Sequence, residues 1–306
     1  MSLTSDAAST LRRALATAVV VPVTPYLADG NPDWDTYAAL TARLIDAGIS
    51  VITPNGNTGE FYALSRREAG QALQTAAEVA RGRAEVLAGV GHDIATAIEA
   101  ARHAQQHGAR MIMIHQPVHP YVSAEGWIDY HAAIADAVPD LGIVLYIRDE
   151  RRTGHDIAQL VDRSPNVIGV KYGVRDAIRF AAVARDAGLD RLTWLAGAAE
   201  LTAPAFWAVG ARGFTSGLAN VSPALALAML KALRENDFSA AMAAWESARR
   251  FEELRLANAS ADNVSVVKEA LAQLGLCRAD VRPPSRPLPA DIKNQISGIL
   301  ASWGMR

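Results

Sequence analysis

The sequence is poor in cysteine, and its charges nearly cancel. Cys277 is the single cysteine in 306 residues, so no disulfide can form within the chain, and the reducing cytoplasm is its expected location. The formal net charge is −2, which creates no field strong enough to attract nucleic acid or an anionic membrane surface. We therefore expect neither nucleic acid nor a membrane as a partner.

Long apolar runs are also missing. No stretch approaches the roughly 20 residues that a membrane-spanning helix needs. Arg12 and Arg13 precede the apolar segment 14–21, which resembles the start of a secretory signal. A polar run comes before these arginines, however, and Pro22-Val23-Thr24-Pro25 follows in place of a small-residue cleavage site. The sequence therefore favours a buried first strand over a signal peptide.

Half of the residues are hydrophobic, and many of them fall into eight short apolar runs. Most runs are continuous Val, Ile and Leu, which is typical of strands covered on both faces in a parallel sheet. The runs span residues 18–23, 50–53, 85–90, 110–114, 142–147, 167–171, 192–196 and 213–216.

Segments with helical spacing separate these runs. Ser65 and Glu68 form a candidate capping box before one of them. The alternation of strands and helices indicates a (β/α)8 TIM barrel. A doubly wound open sheet is the alternative, but its first strand would more often end in a glycine-rich dinucleotide turn. The helical segments are 34–47, 66–81, 95–107, 126–137, 156–163, 176–187 and 200–209.

No further strand is predicted after about residue 222. Residues 1–225 are predicted to form the catalytic barrel, and residues 226–306 a helical extension packed on it. A separate domain is less favoured because the linker is short and the helices are apolar. The C-terminal helices are expected at 225–235, 239–257, 263–274 and 291–303.

Lys171 is the most informative polar residue, because it ends an apolar strand at the barrel edge where active sites lie. Burial lowers the pKa of an amine, and a neutral amine can attack a carbonyl to form an imine. Tyr146 ends the preceding strand, and its phenol could exchange protons there. A solvated lysine and a core tyrosine are the ordinary alternatives, which spacing alone does not exclude.

Gly56-Asn57-Thr58-Gly59 follows the second predicted strand. Its glycines permit a sharp turn in which successive N–H groups face a carboxylate, and the Thr58 hydroxyl can add a hydrogen bond or relay a proton. An ordinary glycine turn is the alternative. Glu60 is expected to serve the structure of the loop.

Seven histidines are present, and two pairs have i, i+4 spacing. His103 and His107 fall on a helix away from the strand ends, and Pro117 interrupts the pair His115 and His119. We therefore expect no metal site. A nucleophile elbow and a Walker loop are likewise not found.

Several segments match one known family in order, and the chain resembles the class I aldolase-type superfamily of dihydrodipicolinate synthase and N-acetylneuraminate lyase. The resemblance implies that Lys171 forms the imine, that Tyr146 relays protons, and that Asn57 and Thr58 bind the carboxylate of a 2-oxo acid. It also implies a homotetramer, built as a dimer of dimers, without metal or organic cofactor. The matching segments are 22–25, 56–60, Tyr146, 152–154, 168–171 and 213–223.

Within that superfamily, Tyr146-Ile147-Arg148-Asp149 and the segment 171–176 look most like 5-dehydro-4-deoxyglucarate dehydratases. Ile147 departs from the asparagine of those dehydratases. Asn57 stands where the synthase has threonine and the dehydratase has glycine. His119 stands where the synthase has a tyrosine that reaches a neighbouring subunit.

The resulting hypothesis is a dehydratase of a 2-oxo-3-deoxy sugar acid. Arg148 or Arg152 is expected to meet a distal anionic group, and Ser216 and Asn220 to contact substrate hydroxyls. Dihydrodipicolinate synthase and a pyruvate-dependent aldolase are the alternative enzymes. A non-catalytic protein that binds a 2-oxo acid is the alternative of another class.

Overall fold

In a computed structural model that describes residues 2–305, eight parallel strands form a closed barrel. Each strand pairs with its neighbours in chain order, and β8 pairs with β1. The predicted TIM barrel is therefore confirmed. The strands are β1 Ala18–Val20, β2 Val51–Ile52, β3 Glu85–Val90, β4 Met111–Ile114, β5 Gly142–Ile147, β6 Val167–Tyr172, β7 Thr193–Ala196 and β8 Gly213–Ser216.

The helices surround the barrel and continue beyond it. The predicted capping box starts α3, where Ser65 accepts from the backbone N–H of Glu68. The helices are α1 Ser5–Leu15, α2 Trp34–Asp46, α3 Arg66–Ala80, α4 Ile94–Gln106, α5 Ala124–Ala137, α6 Gly154–Arg163, α7 Ala177–Asp186, α8 Ala199–Ala208, α9 Pro223–Arg234, α10 Phe238–Ser260, α11 Asn263–Gln273 and α12 Ala290–Ser302.

Helix α1 was not predicted, and it covers the amino-terminal end of the barrel. Its Leu11 and Leu15 join the buried cluster inside the barrel. A Cβ built on Gly142, the first residue of β5, would lie 3.1 Å from Leu11. Arg12 and Arg13, weighed above as part of a signal, therefore lie in a helix, and Arg12 donates to the carbonyl of Arg191. The strand residues of this cluster are Val19, Val51, Leu87, Met111, Met113, Val144, Tyr146, Ile168 and Leu195.

The C-terminal helices return the chain to the catalytic end. Helix α10 packs against α8 and α9, and it kinks at residues 257–259, where Asn258 and Ala259 have φ values of 51° and 55°. The kink leads into α11, which contacts the turn after β2. The predicted boundary between residues 225 and 226 falls inside α9, and the division into two parts stays a prediction.

A search for membrane spans through residues 2–305 finds no helix with the necessary length and apolar character.

Candidate active site

Lys171 and Tyr146 are direct neighbours at the barrel mouth. They pair in register across β5 and β6, near the carboxyl ends of both strands. The Lys171 Nζ atom lies 4.1 Å from the centroid of the Tyr146 ring. Both side chains are buried, with Lys171 4 % exposed. The structure therefore brings together the two residues on which the predicted imine chemistry depends.

The surroundings of Lys171 favour the neutral amine. Burial, followed by the positive charges of Arg148 and Arg255, lowers the pKa of Lys171 to about 7. No carboxylate within residues 2–305 forms an ion pair with this amine. A large share of the side chain is therefore uncharged at neutral pH, which is the form that attacks a carbonyl.

Asn57 contacts the phenol of Tyr146. Its Nδ2 atom donates to the Tyr146 hydroxyl across 3.4 Å. Burial raises the pKa of Tyr146, and this rise is opposed by the charge of Arg148 and by the Asn57 hydrogen bond. The Asn57 amide thus supports a phenolate at Tyr146. An amide does not exchange a proton as a threonine hydroxyl does, so Asn57 cannot take over a proton relay.

The turn after β2 carries Asn57 and Thr58 into the mouth. Residues Asn57–Gly59 form a single 3₁₀ turn. A Cβ on Gly56 would approach the Val21 side chain to 2.6 Å, so glycine lets the turn pack on the residue that follows β1. The Thr58 hydroxyl lies 3.5 Å from Asn263 Oδ1 on α11.

Glu60 connects this turn to the C-terminal helices. It occupies the left-handed region at φ 61° and is buried. Its carboxylate accepts hydrogen bonds from Lys268 Nζ and from the backbone N–H of Arg282, the latter across 2.9 Å. The C-terminal extension therefore holds the turn in place, and the structure gives Glu60 the kind of structural contacts that we predicted.

Arg148 and Arg152 have different environments. Arg148 is exposed at the end of β5 and forms no ion pair with any of residues 2–305, although its charge acts on Lys171 and Tyr146. Arg152 is buried, donates to Ser123 O across 3.3 Å and lies 3.7 Å from Asp149. Of these two arginines, Arg148 is the one that presents an unpaired cation at the mouth.

Ser216 and Asn220 are held by the protein itself. The Ser216 hydroxyl donates to Glu200 Oε1 across 2.5 Å and accepts from the N–H of Ala219 across 2.9 Å. Asn220 donates to the carbonyls of Val21 and Gly217, and its Oδ1 accepts from the N–H of Val23. Their contact with substrate hydroxyls stays a prediction.

His119 is not brought to the site within the chain. It is exposed, and its Nδ1 accepts from the N–H of Tyr121 across 3.1 Å. Nothing in residues 2–305 places it in contact with Lys171 or Tyr146. A role through a neighbouring subunit stays a prediction.

His115 is the histidine that does reach the site. It is fully buried, its ring stacks on Phe61, and the ring centroid lies 5.9 Å from that of Tyr146. Its Nε2 faces the carbonyl of Asn55 at 2.8 Å, which requires a proton on Nε2. Burial lowers the pKa of His115 to about 3, so the ring stays neutral. Among the described residues no cluster of metal ligands is found.

A group of buried charges behind the mouth was missed by sequence reasoning. Glu252 and Arg255 form a buried ion pair on α10, and Glu200 is buried at the start of α8. Burial and the charge of Glu252 raise the pKa of Glu200 to about 8. Their only signal in the sequence is the i, i+3 spacing of Glu252 and Arg255, which exposed surface pairs share.

A closed barrel with a buried amine beside a phenol at its carboxyl-terminal mouth has the features of an enzyme active site. Comparison with known proteins identifies the class further. The chain belongs to the dihydrodipicolinate synthetase family, whose sequence model matches residues 14–302. It is therefore a lyase-type enzyme.

Relatives with two different names match the chain. A 4-hydroxy-tetrahydrodipicolinate synthase of Sorangium cellulosum is 35% identical over 287 residues, which cover 92% of each chain. A probable 5-dehydro-4-deoxyglucarate dehydratase of Delftia acidovorans is 32% identical over 221 residues, which cover 71% of this chain and 72% of that protein.

Solved structures of the family superpose closely. Dihydrodipicolinate synthase from Bacillus clausii is 40% identical, with a TM-score of 0.93 over 96% of this chain and 99% of that one. A synthase from Acinetobacter baumannii, solved in complex with pyruvate, is 27% identical, with a TM-score of 0.87 over 94% of this chain and 99% of that one.

Proposed function

We propose that this protein is an imine-forming lyase of 2-oxo acids, and that it dehydrates a 2-oxo-3-deoxy sugar acid. The observation that supports this most is the buried amine of Lys171, which faces Tyr146 and two arginines and has no carboxylate partner in the described chain. A neutral amine in this position is prepared to attack a keto carbon.

The reaction starts when Lys171 Nζ adds to C2 of the substrate. Tyr146 transfers protons to and from the carbinolamine, which loses water to give the imine. The Tyr146 phenolate then takes a proton from C3, and the iminium nitrogen accepts the electron pair of the C3–H bond. The enamine expels the C4 hydroxyl, which takes the proton back from Tyr146 and leaves as water. Hydrolysis of the imine returns the free Lys171 amine. In this scheme the imine itself serves as the electron acceptor.

Thr58 and the backbone of its turn are the proposed site of the C1 carboxylate. The N–H groups of Asn57 and Thr58 form no backbone hydrogen bond within residues 2–305 and start a 3₁₀ turn. The Asn57 side chain lies against Tyr146, so its contribution to the carboxylate comes from the backbone. We also propose that the Thr58 hydroxyl assists proton transfer.

Arg148 is the proposed partner of the distal anion. It is exposed and unpaired among the described residues, whereas the guanidinium of Arg152 is buried between Ser123 and Asp149. A sugar acid with a second carboxylate fits this cation.

A synthase or a pyruvate-dependent aldolase is the second candidate, favoured by the identity with the Sorangium cellulosum synthase. Both would share Lys171 and Tyr146. A dehydratase turns over a 2-oxo-3-deoxy sugar acid without releasing pyruvate, whereas an aldolase releases it. A coupled pyruvate assay run beside a direct assay of water loss distinguishes them.

The core of the proposal is tested by reduction with borohydride in the presence of pyruvate, followed by mass spectrometry. The chain contains four lysines, so the modified peptide identifies the site. We expect an adduct in wild type and in the control Lys231→Met, and none in Lys171→Met. Wild-type protein without an adduct at Lys171 would overturn the proposal. A protein that forms the adduct but turns over no sugar acid or aldehyde would favour the non-catalytic alternative.

We also propose a homotetramer, built as a dimer of dimers, in the cytoplasm. The tetramer follows from the family resemblance and is checked by light scattering, and the location follows from the single cysteine.

A further inference from the structure

Arg255 is a buried cation that the proposed reaction does not use. It lies on α10, just before the kink at residues 257–259, and is 3 % exposed. Its Nη1 atom is 2.5 Å from Glu252 Oε1, and Glu252 is equally buried. A buried ion pair is weak evidence for stability, because desolvation offsets much of the attraction. Stability therefore does not explain why this ion pair lies beside the catalytic mouth.

Arg255 sets the orientation of the side chain next to Thr58. Its Nη2 atom donates to Asn263 Oδ1 across 3.1 Å. A guanidinium has no acceptor, so the oxygen of the Asn263 amide must face it. The same oxygen lies 3.5 Å from the Thr58 hydroxyl, which can therefore only donate to it. The direction of the Thr58 hydroxyl proton therefore depends on Asn263, and the orientation of Asn263 depends on Arg255.

The guanidinium also lies directly against the loop after β8. A Cβ on Gly217 would be 2.1 Å from Arg255 Nη2, so only glycine leaves room for it there. Gly217 has an ordinary φ of −97°, so backbone conformation alone does not require glycine. The absence of a side chain at this position allows Arg255 to bring its charge close to the barrel mouth.

Few other charges face Lys171. Arg148 approaches it from the end of β5 and Arg255 from α10, while the neutral rings of Tyr146 and His115 come from β5 and β4. The carboxylate of Glu252 is paired with Arg255, and the carboxylate of Glu200 accepts a hydrogen bond from the Ser216 hydroxyl. Arg255 is thus the buried member of the two cations that act on the amine.

We propose that Arg255 is a positioning residue of the active site, which orients Thr58 through Asn263 and places a fixed positive charge near the Lys171 amine. This inference rests on the proposed imine chemistry. It gives the C-terminal extension a direct part in the reaction, because both Arg255 and Asn263 belong to it.

The experiment measures borohydride trapping of pyruvate against pH and against pyruvate concentration. Arg255→Met combined with Glu252→Gln replaces both members of the ion pair, so neither of the two is left without the other. We expect the pH of half-maximal trapping to rise by roughly 0.5–1 unit, since a positive charge near the amine is lost. The half-saturating pyruvate concentration should rise about fivefold, because Thr58 is no longer oriented.

Two further variants separate charge from position. Arg255→Lys keeps the charge but lacks the planar fork that reaches Glu252 and Asn263 together, so half-saturation should rise while the pH midpoint stays unchanged. Gly217→Ala keeps every charge and displaces the guanidinium, with the same expected rise in half-saturation. The control is Glu246→Gln with Arg249→Met, an i, i+3 pair on the same helix with side chains 33% and 61% exposed for Arg249 and Glu246, which should change neither value.

Thermal unfolding of each variant confirms that it is folded. If the double variant does not fold, the half-saturating pyruvate concentrations of Arg255→Lys and Gly217→Ala test the role of Arg255. Folded variants with wild-type midpoint and half-saturation would overturn the role of Arg255 and leave the imine chemistry intact. Failure of the wild type to trap pyruvate would contradict the proposed function itself.

Discussion

Two buried lysines in this chain have different surroundings and, we infer, different roles. Lys171 and Lys268 are 4 % and 0 % exposed, and each amine lies over a tyrosine ring, 4.1 Å from the centroid of Tyr146 and 3.9 Å from that of Tyr26. Lys268 donates to the Glu60 carboxylate and to the carbonyl of Asp280. Lys171 instead faces arginines.

The comparison shows that burial alone does not make a lysine reactive. Burial lowers the pKa of both side chains, but Glu60 opposes this shift at Lys268. At Lys171 the neighbouring charges of Arg148 and Arg255 act in the same direction as burial. Lys268 is therefore a structural cation, and Lys171 is the candidate nucleophile.

The largest expected effect comes from Lys171→Met. Loss of the nucleophile should reduce kcat by more than about 10³-fold. Stability should not fall, because an apolar side chain replaces an amine that is poorly solvated in the folded state. Steady-state turnover and thermal unfolding measure the two quantities, with Lys231→Met as the control. Near-normal turnover would assign the chemistry to another residue.

Tyr146→Phe should lower kcat by about 10²–10⁴-fold, since a phenol that transfers protons is removed. Lys171 remains buried in this variant, so the borohydride adduct with pyruvate should still form, although more slowly. Turnover and trapping are compared on the same preparation. Unchanged turnover would exclude Tyr146 as the proton carrier.

Lys268→Met should act on stability instead of chemistry. Removing one partner of a buried ion pair costs about 3–5 kcal/mol, because the Glu60 carboxylate is left uncompensated. Urea denaturation measures the loss. Adding Glu60→Gln should restore part of it, and the folded fraction should keep its adduct at Lys171. A loss of less than about 1 kcal/mol, as at an exposed pair, would contradict the structural assignment.

Arg148→Met should have the smallest effect, confined to substrates with a second carboxylate. KM for such a substrate should rise about tenfold through loss of a charge-assisted hydrogen bond. The pKa of Lys171 should also rise, which moves the acidic limb of the rate profile to higher pH. Arg102→Met, at an exposed position on the outer helix α4, is the control. Equal effects of both variants on KM would remove Arg148 from the binding site.

Local patterns predicted the barrel and the centre of the site. Continuous apolar runs and strand-end positions are properties of short segments, so β6 and the place of Lys171 follow from residues 167–171 alone. Helix α1 was not predicted, because its buried residues are Leu11 and Leu15, which are too few to form a clear apolar stripe in the sequence.

The rest of the site depends on tertiary packing. Arg255 and Asn263 reach the mouth because α10 kinks at residues 257–259, where non-glycine residues adopt positive φ. Asn258 is a residue type that tolerates positive φ, but a single asparagine beside two alanines does not predict such a turn. The different environments of Arg148 and Arg152 likewise depend on how the loop after β5 packs on Ser123.

Site-resolved trapping of pyruvate across a pH series tests the contrast between the two lysines most directly. Each sample is reduced with borohydride and digested, and the adduct is measured at Lys171 and at Lys268. We predict an adduct at Lys171 alone, with half-maximal trapping near the pKa of about 7. An adduct at Lys268, or trapping at Lys171 that rises only towards the ordinary lysine pKa of about 10.4, would contradict the account.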